Sequence, residues 1–208
     1  MKTKTNLHSS APYLFIVLSG PSGVGKDTIL NKMKRAGIKY HRIITITTRE
    51  KRNGEIDGKD YYFTSIAKFK KMIKEGQLIE WAKVYNNYYG VPLESVKKSL
   101  NQQKDVIIKV DVQGVATIKN IIPGTIAIFL TLPSDEELER RLQNRGDESI
   151  DAIKLRLKTS KEEYKKLHIF DYIVENSKNN VELTISKITA IINAEKCRIS
   201  RILQTQKQ

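Results

Sequence analysis

Apolar and polar residues along the chain form blocks that predict β-strands and α-helices in alternation. Continuous apolar runs, such as "YLFIVLSG" (13–20), "DVIIKVDVQG" (105–114) and "TIAIFLTLP" (125–133), are typical of strands buried on both faces. "KDTILNKMKRAG" (26–37) instead carries apolar residues at the spacing of a helix, which Gly37 ends. This alternation predicts an α/β fold with a parallel β-sheet flanked by helices.

The region after the first helix has shorter elements and more turn residues. "RIITITTR" (42–49) predicts one strand, and the polar, glycine-containing stretch "REKRNGEIDGKDYYF" (49–63) predicts a loop. A short amphipathic helix is expected to start at Ser65. "LIEWAKVYNNYYGVP" (78–92) then predicts short strands joined by a tight turn at "NN".

The last third of the chain predicts mainly helices. In "SDEELERRLQNRG" the pair Ser134 and Glu137 has the spacing of a capping box, and Gly146 is expected to end the helix. "SIDAIKLRLKTSKEEYKKLHIF" (149–170) predicts a long helix, and "DYIVEN" (171–176) predicts a final strand.

Composition and charge restrict the class of protein. With 208 residues, 39% hydrophobic and 29% charged, the chain can form one compact domain with a sizeable core. Its 37 Lys and Arg against 23 Asp and Glu give a formal charge of +14, which favours anionic partners such as nucleotides, nucleic acid or acidic surfaces. The excess is scattered lysine without an arginine block, so solvated helix faces are favoured over a nucleic-acid surface.

The sequence gives weaker indications of the cellular location of the protein and of disulfide or metal chemistry. The apolar runs are too short to span a bilayer, and "MKTKTNLHSS" at the N-terminus lacks the apolar segment of a signal peptide. A cytoplasmic protein without a membrane partner is therefore expected. Cys197 is the only cysteine, which excludes an internal disulfide and provides no metal-ligand cluster.

The stretch "GPSGVGKDT", between the first predicted strand and helix, has the Gly-x-x-x-x-Gly-Lys spacing of a phosphate loop (P-loop). Backbone amides in such a loop surround phosphate oxygens, and Lys26 would bring a charge to the β- and γ-phosphates of a triphosphate. This context favours phosphate binding over an ordinary glycine-rich turn. The residues expected to bind the donor nucleotide are Gly20, Pro21, Ser22, Gly23, Val24, Gly25, Lys26, Asp27 and Thr28.

Asp27 occupies the position at which this loop pattern has a Ser or Thr that contacts Mg²⁺. A carboxylate there is a suitable oxygen ligand for Mg²⁺. Alternatively, Asp27 is only an acidic residue in the first turn of a helix, where the helix dipole favours it. Thr28 follows one residue later and would project in a different direction.

Five motifs in order, "GPSGVGK", "TTREKRNGEIDGKDYYF", "LIEWAKVYNNYYG", "VDVQG" and "RRLQNRG", resemble the guanylate kinase family, over roughly residues 13 to 195. Members of that family transfer a phosphoryl group from ATP to GMP. The resemblance implies a P-loop core, a small GMP-binding region and a helical lid. The corresponding boundaries are 13–44, 96–133 and 165–197 for the core, 45–95 for the GMP-binding region, 134–164 for the lid, and 1–12 and 198–208 for flexible tails.

The resemblance also implies roles for individual residues. On the acceptor side, guanidinium groups and phenolic hydroxyls would bind the GMP phosphate, and Glu80 would accept the N1–H and N2–H of guanine. By themselves, two arginines in a polar loop would be surface charge, and Glu80 could lie exposed on a strand edge. The residues implied for GMP are Thr45, Arg49, Arg52, Tyr61, Glu80, Tyr89 and Asp111.

Three lid arginines, Arg141, Arg145 and Arg156, would act with Lys26 in catalysis by stabilising the charge of the transferring phosphoryl group. The alternative for these arginines is salt bridges with the acidic stretch "DEELE". Mg²⁺ is the implied metal ion, with Asp27 and Asp111 as its candidate ligands.

The chain departs from the family pattern at three positions. Asp27 replaces the usual hydroxyl, Lys109 stands where an acid is common, and Val91 replaces a Ser or Thr that helps bind guanine. We expect Asp27 and Lys109 to be a reciprocal exchange, which either pairs directly or jointly preserves the charge around the metal. With Val91, base discrimination would rest more on Glu80.

The sequence thus predicts an ATP:GMP phosphotransferase, a nucleoside monophosphate kinase that requires Mg²⁺ and binds no nucleic acid. One alternative is a non-enzymatic domain that binds a phosphopeptide in the monophosphate site. Another is a P-loop kinase for a different small phosphorylated acceptor, and a third is a basic nucleic-acid-binding protein. The oligomeric state is left open.

Overall fold

A computed structural model describes residues 13–144, 149–177 and 180–205. Arg145, Gly146 and the predicted tail 1–12 lie outside the described residues. The strands are β1 (Phe15–Ser19), β2 (His41–Ile43), β3 (Ile46–Thr47), β4 (Tyr62–Phe63), β5 (Leu78–Val84), β6 (Asn87–Pro92), β7 (Val106–Lys109), β8 (Ile126–Thr131) and β9 (Tyr172–Glu175). The helices are α1 (Lys26–Arg35), α2 (Ile66–Lys74), α3 (Leu93–Leu100), α4 (Val112–Ile121), α5 (Asp135–Gln143), α6 (Ile150–Tyr164), α7 (Val181–Lys196) and α8 (Ile199–Thr205).

Five strands form a parallel sheet in the order β2-β7-β1-β8-β9. Residues of the central strand β1 alternate between two hydrophobic clusters, because successive side chains of a strand point to opposite faces. Ile16 and Leu18 pack with residues of α1 and α7, whereas Phe15 and Val17 pack with residues of α4. Helices therefore cover both faces of the sheet, which confirms the predicted α/β class.

A second sheet of four strands, in the order β4-β3-β6-β5, contains one parallel and two antiparallel pairings. The prediction of one strand over 42–49 was wrong, since β2 belongs to the large sheet and β3 to the small one. The chain passes between the sheets at Thr45, which is buried and whose carbonyl accepts the amide of Tyr62 at 2.9 Å. A continuous apolar run in the sequence does not indicate that the chain passes from one sheet to the other within it.

The hairpin of β5 and β6 was predicted correctly except for its turn. The turn residues are Tyr85 and Asn86, one position before the predicted "NN". Tyr85 has a φ of 56°, in the left-handed region that β-branched and bulky side chains rarely adopt.

Helix ends follow the capping pattern in most places. The hydroxyl of Ser65 accepts the amide of Lys68 at 3.2 Å, and that of Ser134 accepts the amide of Glu137 at 3.3 Å, as the two predicted N-caps require. The predicted tail from 198 was wrong in part, because 199–205 form α8. Arg201 fixes α8 by donating to the Gly124 carbonyl at 3.0 Å. Within the described ranges, no helix is both long and apolar enough to cross a membrane.

Candidate active site

A central cleft lies between the carboxyl ends of β1 and β7 and the strands β5 and β6 of the small sheet. In parallel sheets this edge is where ligands commonly bind. The structure brings most of the predicted site residues into this cleft although they come from five separate segments. Those that line it are Gly20, Ser22, Gly23, Gly25, Lys26, Asp27, Thr28, Thr45, Arg49, Arg52, Tyr61, Glu80, Tyr89, Asp111 and Arg156.

The phosphate loop connects β1 to α1 and packs tightly against the core. Gly20 has a φ of 132°, and a Cβ there would lie 2.2 Å from the Leu130 carbonyl oxygen, so only glycine fits. Lys26 folds back over the loop and donates to the carbonyl oxygens of Gly20 at 2.5 Å and Pro21 at 3.0 Å. Gly25 is the N-cap of α1 and makes no side-chain cap hydrogen bond, and the first turn of the helix lines the cleft, a position at which helix N-termini favour anions.

Asp27 forms two ion pairs through one oxygen. Its Oδ1 accepts from Lys109 Nζ at 2.6 Å and from Arg42 Nη2 at 2.7 Å. The direct pairing of Asp27 with Lys109 is thus confirmed as a contact, while Arg42 was missed by the sequence reasoning. Burial would raise the pKa of Asp27, but Lys109, Arg42 and Lys26 outweigh it and hold the pKa below its ordinary value.

The carboxylates in the cleft would fit a Mg²⁺ ion only if bound phosphate and water supplied its other ligands. Among the described residues no group of three or more His, Cys, Asp or Glu could hold a metal ion alone. Mg²⁺ commonly takes only one or two carboxylates and completes its shell with phosphate oxygens and water. Asp111 supplies one carboxylate; its Oδ1 caps α4 by accepting the Gly114 amide at 2.9 Å. Asp27 is less suited, since its Oδ1 is already shared by two cations.

Aromatic and guanidinium groups cluster on the small-sheet side of the cleft. The Arg49 guanidinium lies 5.5 Å from the ring centre of Tyr61, and the rings of Tyr61 and Tyr89 meet edge to face at 6.0 Å. Arg49 Nη2 donates to both carboxylate oxygens of Glu55, at 2.6 and 2.9 Å, and the Arg52 amide donates to the same carboxylate at 2.8 Å. Glu55 was not predicted; together with the Glu50 carbonyl, which accepts from Arg49 Nη1 at 2.6 Å, it orients the guanidinium.

Glu80 is buried on β5, with 6% of its surface exposed. Its carboxylate lies against the start of α4, where a Cβ on Gly114 would be 2.5 Å from Oε1. Burial, and to a smaller extent Asp111, raise the pKa of Glu80 to about 8. Directly opposite Glu80 in the ladder stands Val91, fully buried, so this part of the cleft wall is apolar.

The two predicted lid arginines within the described residues make different contacts. Arg156 of α6 donates to the hydroxyl of Ser22 in the phosphate loop, and its guanidinium lies 4.8 Å from the ring centre of Tyr85. Arg141 instead pairs with Glu137 at 2.7 Å and donates at 3.3 Å to the carbonyl of Val24, a loop residue that does not line the cleft. Arg141 thus pairs with the acidic stretch and is not among the residues that line the cleft, and its catalytic role stays a prediction. Arg145 lies outside the described residues.

Glu163 is a cleft residue that the sequence reasoning missed. In "SKEEYKKLH" it looks like part of a solvated helix face. The spacing gave a usable signal, however, because Arg156 and Glu163 are seven residues apart and so share one face of α6. Its Oε2 is buried without a hydrogen-bond partner among the described residues, and burial raises the pKa of Glu163 to about 7.

Comparisons with known proteins agree with this arrangement. The sequence model of the guanylate kinase family matches residues 14–195. The chain is 42% identical to a guanylate kinase of Lactococcus lactis subsp. lactis over 92% of each chain. It is 44% identical to a guanylate kinase of Caldanaerobacter subterraneus subsp. tengcongensis over 90% of each chain. The crystal structure of guanylate kinase from Anaplasma phagocytophilum superposes with a TM-score of 0.75 at 28% identity, covering 92% of this chain and 90% of that one.

The parallel sheet, the loop after β1 and the cleft above it define a P-loop nucleotide-binding protein. With the family match over 14–195, the chain belongs to the guanylate kinase family.

Proposed function

We propose that this protein is a guanylate kinase that transfers the γ-phosphoryl group of ATP to GMP and releases ADP and GDP. The observation that carries the proposal is the convergence, in one cleft, of the phosphate loop with Lys26 and of a separate group formed by Arg49, Tyr61, Tyr89 and Glu80. A protein that binds one nucleotide needs only the first group. Two facing sites are what transfer between two nucleotides requires.

On the donor side, the amides at the start of α1 and the ammonium of Lys26 would bind the phosphates of ATP. Lys26 now donates to two loop carbonyls, so its movement onto a phosphate exchanges those bonds for stronger charge-assisted ones. Arg156 already contacts the loop at Ser22 and could reach the transferring group from α6.

On the acceptor side, Arg49, Arg52, Tyr61 and Tyr89 would bind the phosphate of GMP. Glu80 would accept the N1–H and N2–H of guanine, which adenine does not offer. Because the carboxylate is buried at the base of the cleft, an adenine would leave it without donors, and this unpaired polar group would disfavour AMP.

The transfer itself needs little acid–base chemistry, since the attacking phosphate oxygen of GMP is already anionic. A bound Mg²⁺ would supply charge neutralisation at the phosphates, with Asp111 as the better candidate ligand and Asp27 as the second. The protein's own part is to align the two nucleotides and to exclude water. Arg156 lying over Tyr85 brings α6 against the β5–β6 turn at the cleft mouth, which supports that second task.

The division into parts follows from this proposal. Residues 45–95, which contain the small sheet, would form the GMP-binding region, and 134–164 would form the lid over the core. A phosphopeptide-binding module would need neither the Lys26 loop nor the Arg156 contact, and neither it nor another acceptor is favoured by a specific observation. The cytoplasmic location remains a prediction from the sequence.

The test is a coupled assay of ADP release from Mg-ATP, with GMP, AMP, CMP and UMP as alternative acceptors. We expect turnover with GMP at least about a hundred-fold above the others, as unpaired buried polar groups discriminate strongly. Lys26→Met should abolish turnover. Lys32→Met is the matched control, because Lys32 is also on α1 but pairs with Glu182 on the surface.

A protein that releases no more ADP with GMP than with the other three acceptors would refute the proposal. Equal turnover in Lys26→Met and in Lys32→Met would refute the role of the loop even if GMP were phosphorylated.

A further inference from the structure

Lys109 is a lysine buried in the wall of the central cleft, with 6% of its surface exposed. It is the last residue of β7 and lies beside Leu18 of β1 in the ladder, which places it next to the phosphate loop. Burying an ammonium is costly unless it is paired and hydrogen-bonded. The identity of its partners is therefore informative.

The partners of Lys109 leave part of its bonding capacity unused. An ammonium has three N–H donors. In the described part of the chain, one donor binds Asp27 Oδ1 at 2.6 Å, and the charge lies 3.8 Å from the ring centre of Tyr61. No second oxygen acceptor of Lys109 is found among those residues. Since Lys109 lines the cleft, the remaining donor capacity is available to a bound ligand.

The charges around Lys109 also do not balance. Asp27 carries one negative charge, and it is shared between Lys109 and Arg42 at 2.6 and 2.7 Å. Two cations on one carboxylate leave an excess positive charge at this wall. Tyr61 connects this wall to Arg49 and Tyr89, so the excess lies between the phosphate loop and the acceptor cluster.

We propose that Lys109 binds an oxygen of the GMP phosphate directly, and that Asp27, itself oriented by Arg42, positions the ammonium for this contact. The inference rests on the proposed function and specifies a further ligand for its acceptor. A monophosphate carries about two negative charges near neutral pH, and lysine binds phosphate as a point charge. Arg42 donates in addition to Asn31 Oδ1 at 3.1 Å, which anchors the assembly on α1.

The test compares GMP with guanosine, which lacks the phosphate, by isothermal titration calorimetry without ATP or Mg²⁺. Lys109→Met removes the charge and keeps most of the side-chain volume. We expect the Kd for GMP to rise about 10- to 100-fold, the range of a hydrogen bond to a charged group, and the Kd for guanosine to stay unchanged. Lys32→Met should alter neither Kd.

The positioning role of Asp27 has its own variant. Asp27→Asn keeps the shape of the side chain and removes the anion that holds Lys109. We expect a smaller rise in the Kd for GMP, about 3- to 10-fold, again without a change for guanosine. If Lys109→Met does not fold, the double variant Asp27→Asn/Lys109→Met serves instead, since it leaves no buried lysine or carboxylate unpaired at this pair.

Several outcomes would overturn the inference. Equal weakening of GMP and guanosine would mean that Lys109 only supports the shape of the cleft. In a separate titration with ATP, weaker ATP binding with an unchanged Kd for GMP would assign Lys109 to the donor, and no change for any of the three ligands would remove it from binding. Failure of the wild-type protein to bind GMP would instead refute the proposed function, so the two failures are distinct.

Discussion

Among single residues, the two departures from the family pattern at positions 27 and 109 are explained by a direct contact between them. Lys109 Nζ lies 2.6 Å from Asp27 Oδ1, so the half-exposed carboxylate supplies the charge that makes the buried ammonium tolerable in the cleft wall. A change at one position alone breaks this pairing. A change at both positions removes the pair together with the buried ammonium of Lys109.

The pair predicts coupling in a double-mutant cycle. Asp27→Ser should lower the free energy of unfolding by about 1–3 kcal/mol and reduce kcat/KM, because Lys109 loses its carboxylate. Asp27→Ser/Lys109→Asp should recover part of both losses. Chemical denaturation and the coupled assay measure the two quantities, and purely additive effects of the two changes would contradict the coupling.

Val91 gives a second prediction at the same scale. It stands opposite Glu80, is fully buried and lines the cleft, yet it offers no hydrogen bond to a base. Val91→Thr adds one hydroxyl at nearly constant volume. We expect about 2- to 10-fold tighter binding of guanosine, the value of one added hydrogen bond, if the base is read here. The control is Val96→Thr on α3, which is buried outside the cleft and should only reduce stability. Unchanged or weaker binding of guanosine by Val91→Thr would show that no edge of the base reaches this wall.

At the scale of elements, the position of Glu80 depends on the first turn of α4. Gly114 lets the strand β5 and the helix approach until the Glu80 carboxylate is in contact with the helix backbone. Glycine inside a helix normally costs about 1 kcal/mol relative to alanine. Here its absence of a side chain makes room for the group that would read guanine.

Gly114→Ala should therefore weaken guanosine binding more than it lowers the stability of the fold. The added Cβ would lie 2.5 Å from Oε1 of Glu80, so the carboxylate must move. We expect guanosine affinity to fall about tenfold or more, the cost of one or two lost charged hydrogen bonds, while helix propensity offsets part of the strain. Calorimetry with guanosine and thermal unfolding together test this.

Ala116→Gly is the control for Gly114→Ala. Ala116 is an exposed residue of the same helix, so its replacement changes helix propensity alone and should lower stability without affecting guanosine. Tighter or equal guanosine binding in Gly114→Ala would show that Glu80 does not need this contact.

Elements with a strong periodic signal were predictable, and contacts between elements were not. Buried strands such as "TIAIFLTLP" are recognisable because both faces are covered, which leaves a continuous apolar run. The same continuity concealed the break between β2 and β3. In the site, the phosphate loop and Glu80 were found by motif, whereas Arg42 was missed because its partner Asp27 is fifteen residues away on another element.

Arg141 and Arg156 show that the direction of a side chain on a helix was also not predictable from the sequence. Both lie on helices near the phosphate loop, but Arg141 contacts the carbonyl of Val24, which does not line the cleft, and Arg156 contacts the hydroxyl of Ser22, which does. Which face of a helix contacts its neighbours depends on tertiary packing, and the local sequence does not determine that packing. The spacing of seven residues between Arg156 and Glu163 would have predicted that these two side chains lie on the same face of α6.

At the scale of the whole molecule, the cleft combines basic residues with carboxylates whose ionisation is opposed by burial. The chain carries a formal +14, yet buried carboxylates from three elements line the cleft, and burial raises their pKa values. The pKa of Glu80 is raised to about 8 and that of Glu163 to about 7, from an ordinary value of 4.5. Folding without ligand thus forces these groups toward their neutral forms.

Stability and base binding should consequently respond to pH in opposite directions. Between pH 4.5 and 8 the folded protein retains protons on Glu80 and Glu163 that the unfolded chain has lost, so unfolding releases protons and the free energy of unfolding falls as pH rises. Guanosine needs the ionised form of Glu80 as acceptor. Its affinity should rise over the same range, by at most about tenfold per pH unit for one proton.

Chemical denaturation from pH 5 to 8.5 and calorimetry with guanosine provide the two profiles. Glu80→Gln should flatten the stability profile in part, leaving the contribution of Glu163, and should remove the pH dependence of guanosine binding. Glu94→Gln, at an exposed residue of α3, should change neither. Stability that rises from pH 5 to 8, or guanosine affinity independent of pH in the wild type, would mean that Glu80 is already ionised in the free cleft, and the guanine site would then be formed before any ligand arrives.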